Sequence, residues 1–391
     1  MLRITAAIAF LATNLSVFSV AHAQDRLEEF SKHDPKSTMS LGYDELTKTL
    51  RTIVYDVGRS DRKPATRPVN YTGSNLSRQN KERYRLEGNR ISFSMQSGDL
   101  ERRFELLREG LENTAASVGL ENLNRREQLA FWLNLHNTAV VEQLAKIYPV
   151  RSTRILSLQG GEDDFFTAPV VTVQGQPLSL NDIRIGIVYQ NYRTPEVIYG
   201  FFLGSIGGPN IRREAFTAAT LERQLRDNAD EFINSLRGVE SNRRRIRVSQ
   251  IYEEARALFP NWPDDLLAHL RAYGESDVNK TLSQKGRIHA DVFSYTIADL
   301  SYGDASAPIG NVLSTSRTGT GGFHQVGGQI SPYTLEFVSK VEERKYRRFK
   351  ERGGTVEIID VDTEDGGGPE ALIPIEDPHP GADDAANGAE N

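Results

Sequence analysis

The longest run almost free of helix breakers, Arg125 to Tyr148, constrains the fold more than any other feature of the chain. At the helical repeat of 100° per residue its apolar side chains form no stripe, because Trp132 lies on one side and Leu135 and Val141 lie on others. A helix that is apolar all round is enclosed by the rest of the protein. The run therefore predicts a buried central helix.

Three polar residues interrupt this apolar surface: Asn134, His136 and Asn137. Each would cost roughly 1–3 kcal/mol if it were buried without a hydrogen-bond partner. One interpretation makes them the floor of a ligand pocket, completed by Trp132 and by a glycine-rich loop that contributes Gly204, Ser205, Gly207 and Gly208. The other and more common case is a structural one, in which buried Asn and His side chains bond to the backbone of neighbouring loops.

Composition excludes several kinds of chemistry. The chain of 391 residues has no cysteine, which excludes disulfides, thiolate metal sites and a cysteine nucleophile of its own. Its seven histidines show no zinc-binding spacing, and the segment from Gly319 to His324 lacks the third glycine of a dinucleotide fingerprint. We expect no metal and no cofactor. The net charge of -6 is modest, and we expect no binding to nucleic acid.

The first 23 residues have the pattern of a secretory signal peptide. Arg3 precedes a short apolar core from Ile4 to Ala12, and Ala21-His22-Ala23 forms an A-x-A cleavage site. The apolar core is too short to span a bilayer, and no later stretch is long enough. We therefore expect an exported protein, periplasmic or secreted, without a transmembrane segment.

Periodicity along the rest of the chain predicts one α+β domain over residues 41–302, after a polar segment at 24–40. Its helices surround the central one, and its strands form a small, mostly antiparallel sheet. Helices are predicted at 41–57, 99–111, 181–189, 217–238, 249–259 and 263–274, and strands at 154–158, 169–173, 177–180, 197–203, 245–248 and 292–297. Thr217 is the predicted N-cap of its helix.

Three segments of different composition follow this domain. Residues 303–330 are a Gly/Ser/Thr-rich linker, 331–352 a basic helix, and 353–391 an acidic tail whose composition is typical of disorder. The helix has a narrow apolar stripe of Leu335, Val338 and Val341. Its basic end predicts docking on an envelope protein or an anionic polymer.

Several segments resemble, in order, the uncharacterised family catalogued as domain of unknown function 547. They are Ala130 to Val140 (AFWLNLHNTAV), Pro177 to Val188 (PLSLNDIRIGIV), Val197 to Leu225 and, more faintly, Phe293 to Tyr302. The resemblance spans about Glu87 to Tyr302. By analogy of fold, it implies a papain-like or transglutaminase-like arrangement with thiol chemistry in typical members.

This chain departs from the family pattern at the chemically active positions. The resemblance implies a Glu-His pair where this chain has Arg184 and Ile185, and a Cys-Pro where it has Gly208 and Pro209. We therefore expect a pseudoenzyme, a non-catalytic module that binds a ligand or partner in the cell envelope. The alternative is a hydrolase or acyl-transfer enzyme that uses Ser205 as nucleophile and His136 as base.

Overall fold

The computed structural model describes residues 27–66, 82–94, 97–154, 156, 164–242, 245–284, 286–303 and 332–351. The predicted signal peptide, all but the first residue of the predicted linker, and the acidic tail lie outside these residues. The chain divides into two compact units, Met1–Arg348 and Phe349–Asn391. The second unit is described only at residues 349–351, the end of the last helix.

Helices predominate over strands in the described residues. In chain order the main elements are α1 (Asp44–Ile53), β1 (Val54–Tyr55), β2 (Arg90–Ile91), α2 (Ser97–Val118), α3 (Arg125–Ile147), β3 (Pro169–Val173), β4 (Gln176–Ser179), α4 (Leu221–Ile233), β5 (Val239–Asn242), β6 (Arg245–Ser249), α5 (Asp264–Tyr273), α6 (Ser276–Leu282), β7 (Ile288–Val292) and α7 (Pro332–Glu351). Shorter helical segments are Glu29–Ser31, Leu120–Asn122, Asp182–Val188, Tyr189–Asn191, Pro195–Gly200, Ile251–Glu254 and Arg256–Leu258.

The strands of the described residues form three small sheets. Strands β1 and β2 pair antiparallel, and β3 and β4 form a hairpin through Gln174 and Gly175, both of which have positive φ. In the third sheet β6 lies between β5, antiparallel to it, and β7, parallel to it. The predicted α+β class with small, mostly antiparallel strand pairing is confirmed.

The central helix α3 is buried on all sides, as predicted. Asn124 caps its N-terminus, because the Asn124 side chain accepts hydrogen bonds from the backbone N–H groups of Arg126 and Glu127. Phe131, Trp132 and nearly every residue after them up to Ala145 are buried. Helix α2 packs along α3, so the other elements are arranged around one helix.

The prediction of a strand at 197–203 is wrong. Residues Pro195–Gly200 form a 3₁₀ helix, and Phe201 continues in an extended conformation without a neighbouring strand. The side chain of Asn137 takes the place of that strand, since it bonds to the carbonyl of Gly200 and to the N–H of Phe202. A continuous apolar run identifies buried backbone, but it does not identify the partner of that backbone.

Other boundaries shift for local reasons. Helix α4 begins at Leu221, because residues 218–220 form a turn. The prediction of Thr217 as the N-cap is wrong, since Thr217 Oγ1 bonds to Thr220 Oγ1 at 2.8 Å and not to the backbone of the helix. The helix predicted at 249–259 breaks into the turns Ile251–Glu254 and Arg256–Leu258. The helix predicted at 181–189 is a π-helix over Asp182–Val188.

Two predicted strands are also corrected. The last strand lies at Ile288–Val292, so the prediction at 292–297 is displaced, and only single bridges remain at Thr296 and Ile297. Near 154–158, Ser152 makes one bridge to Thr296. Residues 155 and 157–163 lie outside the described residues.

Helix α7 packs over β1 and over residues 300–302 at the end of the main domain, the predicted α+β domain. Phe337, Val338 and Val341 are buried in one cluster with Tyr55, Val57, Leu300 and Tyr302. The predicted stripe is partly wrong, because Leu335 is exposed and Phe337 takes its place in the contact. None of the helices in the described part of the chain has the length and apolarity that crossing a membrane requires.

Candidate functional site

Asn134 and Asn137 join the central helix to the segment that passes over it. Asn134 donates from Nδ2 to the carbonyl of Phe216 at 2.8 Å, and its Oδ1 accepts the N–H of the same residue at 2.9 Å. Asn137 bonds to the Gly200 carbonyl and the Phe202 N–H, both at 2.9 Å. Each primary amide therefore pairs with backbone as a peptide group would.

The space beside these two amides is small. Asn134 and Asn137 line a cavity of about 10 Å³ together with apolar side chains of α1 and α2. Such a volume holds about one water molecule. The hydrogen bonds agree with the structural interpretation of these residues, and ligand contact at this position stays a prediction.

His136 is fully buried between the central helix and Phe201. Its ring stands edge-on to the Phe201 ring at 4.8 Å between centroids, and Nδ1 lies 3.2 Å from Asn137 Oδ1. Burial and, secondarily, the nearby charge of Arg184 lower the pKa of His136 to about 3, against the Asn137 hydrogen bond, which raises it. The imidazole is therefore neutral at physiological pH.

The glycine-rich loop packs against the chain's own backbone. Gly207 donates from N–H to the Ser294 carbonyl at 2.9 Å, and a Cβ at Gly207 would lie 2.4 Å from the Ser294 nitrogen. Gly204 has a φ of +73°. The backbone of the glycine-rich loop therefore lies directly against residues 294–298, which follow β7, and these contacts bury the loop.

Ser205 and His136 are not hydrogen-bonded to each other. Both Ser205 Oγ and His136 Nε2 are buried and lack a hydrogen-bond partner among the described residues. Trp132, predicted to line the same pocket, is fully buried and packs edge-on against Phe30 at 5.1 Å. The structure therefore brings together the residues of α3 and the 200–216 segment, but it forms no Ser–His pair.

Two of the positions at which the resemblance implies catalytic groups make internal contacts. Arg184 is buried, and it bonds to Glu254 at 2.5 Å and to Asn181 Oδ1 at 3.0 Å. The carbonyl of Gly208 accepts a hydrogen bond from Arg237 Nη1 at 2.8 Å. Where the resemblance implies Glu, His and Cys, this chain has a permanently charged guanidinium, an isoleucine and a glycine.

These elements lie within one region of recognisable sequence. Residues 120–233 match the family described as Protein of unknown function, DUF547. The match runs from the turn before α3 to the end of α4, and so includes the two asparagines and the glycine-rich loop. It confirms the DUF547 resemblance over these residues, while the fainter similarity at Phe293 to Tyr302 lies beyond them. No curated protein and no solved structure matches the chain.

A polar cleft of about 410 Å³ opens at the edge of the DUF547 segment. We call it the polar cleft, and its lining residues are Arg51, Asp56, Gly58, Arg59, Asn89, Asn210, Arg212, Arg213, Glu214, Asp227, Asn228, Asp230 and Glu231. Sequence reasoning missed it, because the lining comes from four separate stretches of the chain. The run Asn210 to Glu214, directly after the glycine-rich loop, was the available signal.

Most carboxylates of the polar cleft lie beside arginines. The described residues contain no group of three or more His, Asp or Glu side chains placed to hold a metal ion. Most cleft carboxylates face arginines instead, as in the contact of Arg212 with Glu214 at 2.9 Å. Its lining suits a polar ligand more than an apolar one.

The basic end of α7 bonds mainly to the main domain. Arg344 is buried and donates to the carbonyls of Leu86 and Val57 at 3.2 and 3.1 Å. Arg347 pairs with Asp61 at 2.7 Å. Much of the basic surface predicted to meet an envelope protein or anionic polymer is thus in internal contacts, and such a partner stays a prediction.

Proposed function

We propose that the protein is an exported, non-catalytic binding module of the cell envelope. The observation that carries this proposal is the buried pair of Arg184 with Glu254, 2.5 Å apart. An arginine guanidinium keeps its proton at any physiological pH, so it does not act as a general base, and Ile185, at the position of the implied histidine, has no titratable group. With no cysteine in the chain, the thiol chemistry implied by the resemblance has neither nucleophile nor base.

The binding part of the proposal rests on the polar cleft. The side-chain amides of Asn134 and Asn137 are already hydrogen-bonded to the backbone. The polar cleft, in contrast, presents polar side chains to solvent, and its volume is within the usual range for small-ligand sites. The cleft includes Asn210 and Arg212, which belong to the segment between Gly200 and Phe216 that these asparagines contact. A scaffold that lacks the catalytic groups implied by the resemblance fits a module that binds without reacting.

The experiment is a turnover assay on the mature protein, residues 24–391. Ester, amide and peptide substrates should show no hydrolysis above the buffer rate. The proposal would be contradicted if the protein hydrolysed any of these substrates, provided that the activity copurified with the protein and was abolished by a point substitution in it.

A hydrolase or acyl-transfer enzyme using Ser205 with His136 is the second candidate. One observation favours it: Ser205 Oγ and His136 Nε2 are both buried without partners, as groups awaiting a substrate would be. It requires a movement that joins them. A serine-directed phosphonate should then label the wild type and not Ser205→Ala, and an unlabelled, folded wild type would exclude it.

A further inference from the structure

The carboxylates of the polar cleft are largely neutralised within the protein. Four of the five face an arginine, in the pairs Arg212–Glu214, Arg223–Asp227, Arg59–Asp230 and Arg237–Glu231. The fifth, Asp56, accepts the N–H of Gly58 at 2.9 Å. Although acidic side chains outnumber basic ones in the lining, little of that negative charge is free to attract a cation.

Two arginines of the same lining have no such partner. Arg51 and Arg213 are exposed, and within the described residues neither guanidinium has a carboxylate at ion-pair distance. They are neighbours, because Arg213 Nη2 donates to the backbone carbonyl of Arg51 at 3.0 Å. Two arginines without a carboxylate partner leave positive charge in the cleft lining, and this charge favours a bound anion.

Asn210 adds a neutral donor to this pair. Its Oδ1 accepts hydrogen bonds from the N–H of Asn89 at 2.9 Å and from Arg237 Nη1 at 3.3 Å. Since the oxygen is engaged, the Nδ2 group is the part of the amide left to donate to a ligand. The cleft therefore offers two guanidinium groups and an amide N–H₂.

We propose that Arg51, Arg213 and Asn210 bind the oxyanion, carboxylate or phosphate, of a small molecule in the polar cleft. Guanidinium groups bind both oxyanions through paired, charge-assisted hydrogen bonds. A volume of about 410 Å³ accommodates a small molecule rather than a polymer chain. This inference rests on the proposed binding function and names the ligand class.

Titration calorimetry on the mature protein tests this assignment, with citrate as the carboxylate probe and inorganic phosphate as the phosphate probe. At low ionic strength the wild type should bind at least one of them, and Arg51→Gln/Arg213→Gln should bind it roughly tenfold or more weakly. Asp56→Asn should strengthen binding, because it removes the negative charge of the one cleft carboxylate that faces no arginine. The preferred probe identifies the oxyanion.

Arg193→Gln/Arg287→Gln is the matched control, since it removes the same charge from two exposed arginines outside the cleft lining. It should bind as the wild type does. The assignment is overturned if the folded wild type binds neither probe, or if both double variants lose affinity equally. Absence of anion binding together with absence of turnover would remove only this ligand class, whereas turnover would remove the proposed non-catalytic function.

Discussion

At the scale of single residues, Asn134 and Asn137 connect the buried helix to the rest of the fold. They are three positions apart, so they lie on neighbouring parts of one helix face. Asn134 hydrogen-bonds to both the N–H and the carbonyl of Phe216, and Asn137 hydrogen-bonds to the carbonyl of Gly200 and the N–H of Phe202. A primary amide can do this because it carries a donor and an acceptor in one plane.

Replacing Asn134 with Leu should destabilise the protein by about 2–6 kcal/mol. The substitution keeps the number and branching of the side-chain heavy atoms but leaves the N–H and carbonyl of Phe216 buried without partners, at roughly 1–3 kcal/mol each. Urea denaturation of the mature protein measures the change. Asn113→Leu, at an exposed position of α2, is the control and should change stability little. Equal stability of the two variants would contradict a structural role for Asn134.

His136 should make folding stability fall in acid. Its pKa is about 3 in the folded protein and about 6.5 in the unfolded chain, so the unfolded chain binds more protons between these values. The stability contributed by the neutral imidazole is therefore present above pH 6.5 and decreases as pH falls toward 3.

The test compares the free energy of unfolding of wild type and His136→Gln at pH 7 and pH 5. Because Gln does not titrate, the wild type should lose about 2 kcal/mol more than the variant over this interval. His289→Gln, at a partly exposed histidine of β7, controls for general effects of removing an imidazole. A parallel decline of wild type and His136→Gln would show that His136 is not a buried neutral group.

At the scale of elements, α7 shows how a helix with a narrow apolar stripe is held in place. Phe337, Val338 and Val341 supply the buried face. The long side chain of Arg344 then reaches the carbonyls of Leu86 and Val57, and so satisfies backbone groups that end their own strands or turns. Hydrogen bonds from a charged donor are the stronger kind, which offsets the small apolar area.

We expect α7 to remain attached after the chain is cut between it and the main domain. A protease site inserted between Gly303 and Pro332 allows this cut, and size-exclusion chromatography should show both fragments eluting together. Val341→Asp should release the fragment, because it buries an unpaired charge. Leu335→Asp, at an exposed position of the same helix, should not. Separation of the wild-type fragments would contradict the packing described for α7.

At the scale of the whole molecule, stability comes from packing and internal polar contacts. The chain has no cysteine, and the described residues contain one large core around α3 and a smaller cluster beneath α7. Several arginines are buried with partners, among them Arg90, Arg184 and Arg237. Arg90 and Arg237 donate to the backbone carbonyls of Arg85 and Gly208, whereas Arg184 donates to the side chains of Glu254 and Asn181.

Export belongs to this scale, and it is directly measurable. Expression of the full chain in a bacterial host should yield a mature protein that begins at Gln24, because Ala21-His22-Ala23 is the predicted cleavage site. N-terminal sequencing and cell fractionation measure this. Ala21→Asp/Ala23→Asp should accumulate uncleaved, whereas His22→Ser should be processed. A cytoplasmic, uncleaved wild type would contradict the proposed export.

The sequence by itself determined the central helix, the α+β class, the DUF547 resemblance and the absence of thiol chemistry. These follow from local information: residue types, periodicity and the order of segments. It also indicated that Asn134 and Asn137 required partners, since most buried polar groups are hydrogen-bonded.

Only the tertiary structure decided which partners those were. The run at 197–203 has the pattern of a strand, but Asn137 satisfies its backbone from a helix 60 or so residues earlier, and no local pattern encodes such a contact. The polar cleft likewise combines Arg51 with Arg213, which are remote in sequence and adjacent in space. Sites assembled from separate stretches depend on how elements pack, and packing is a property of the whole fold.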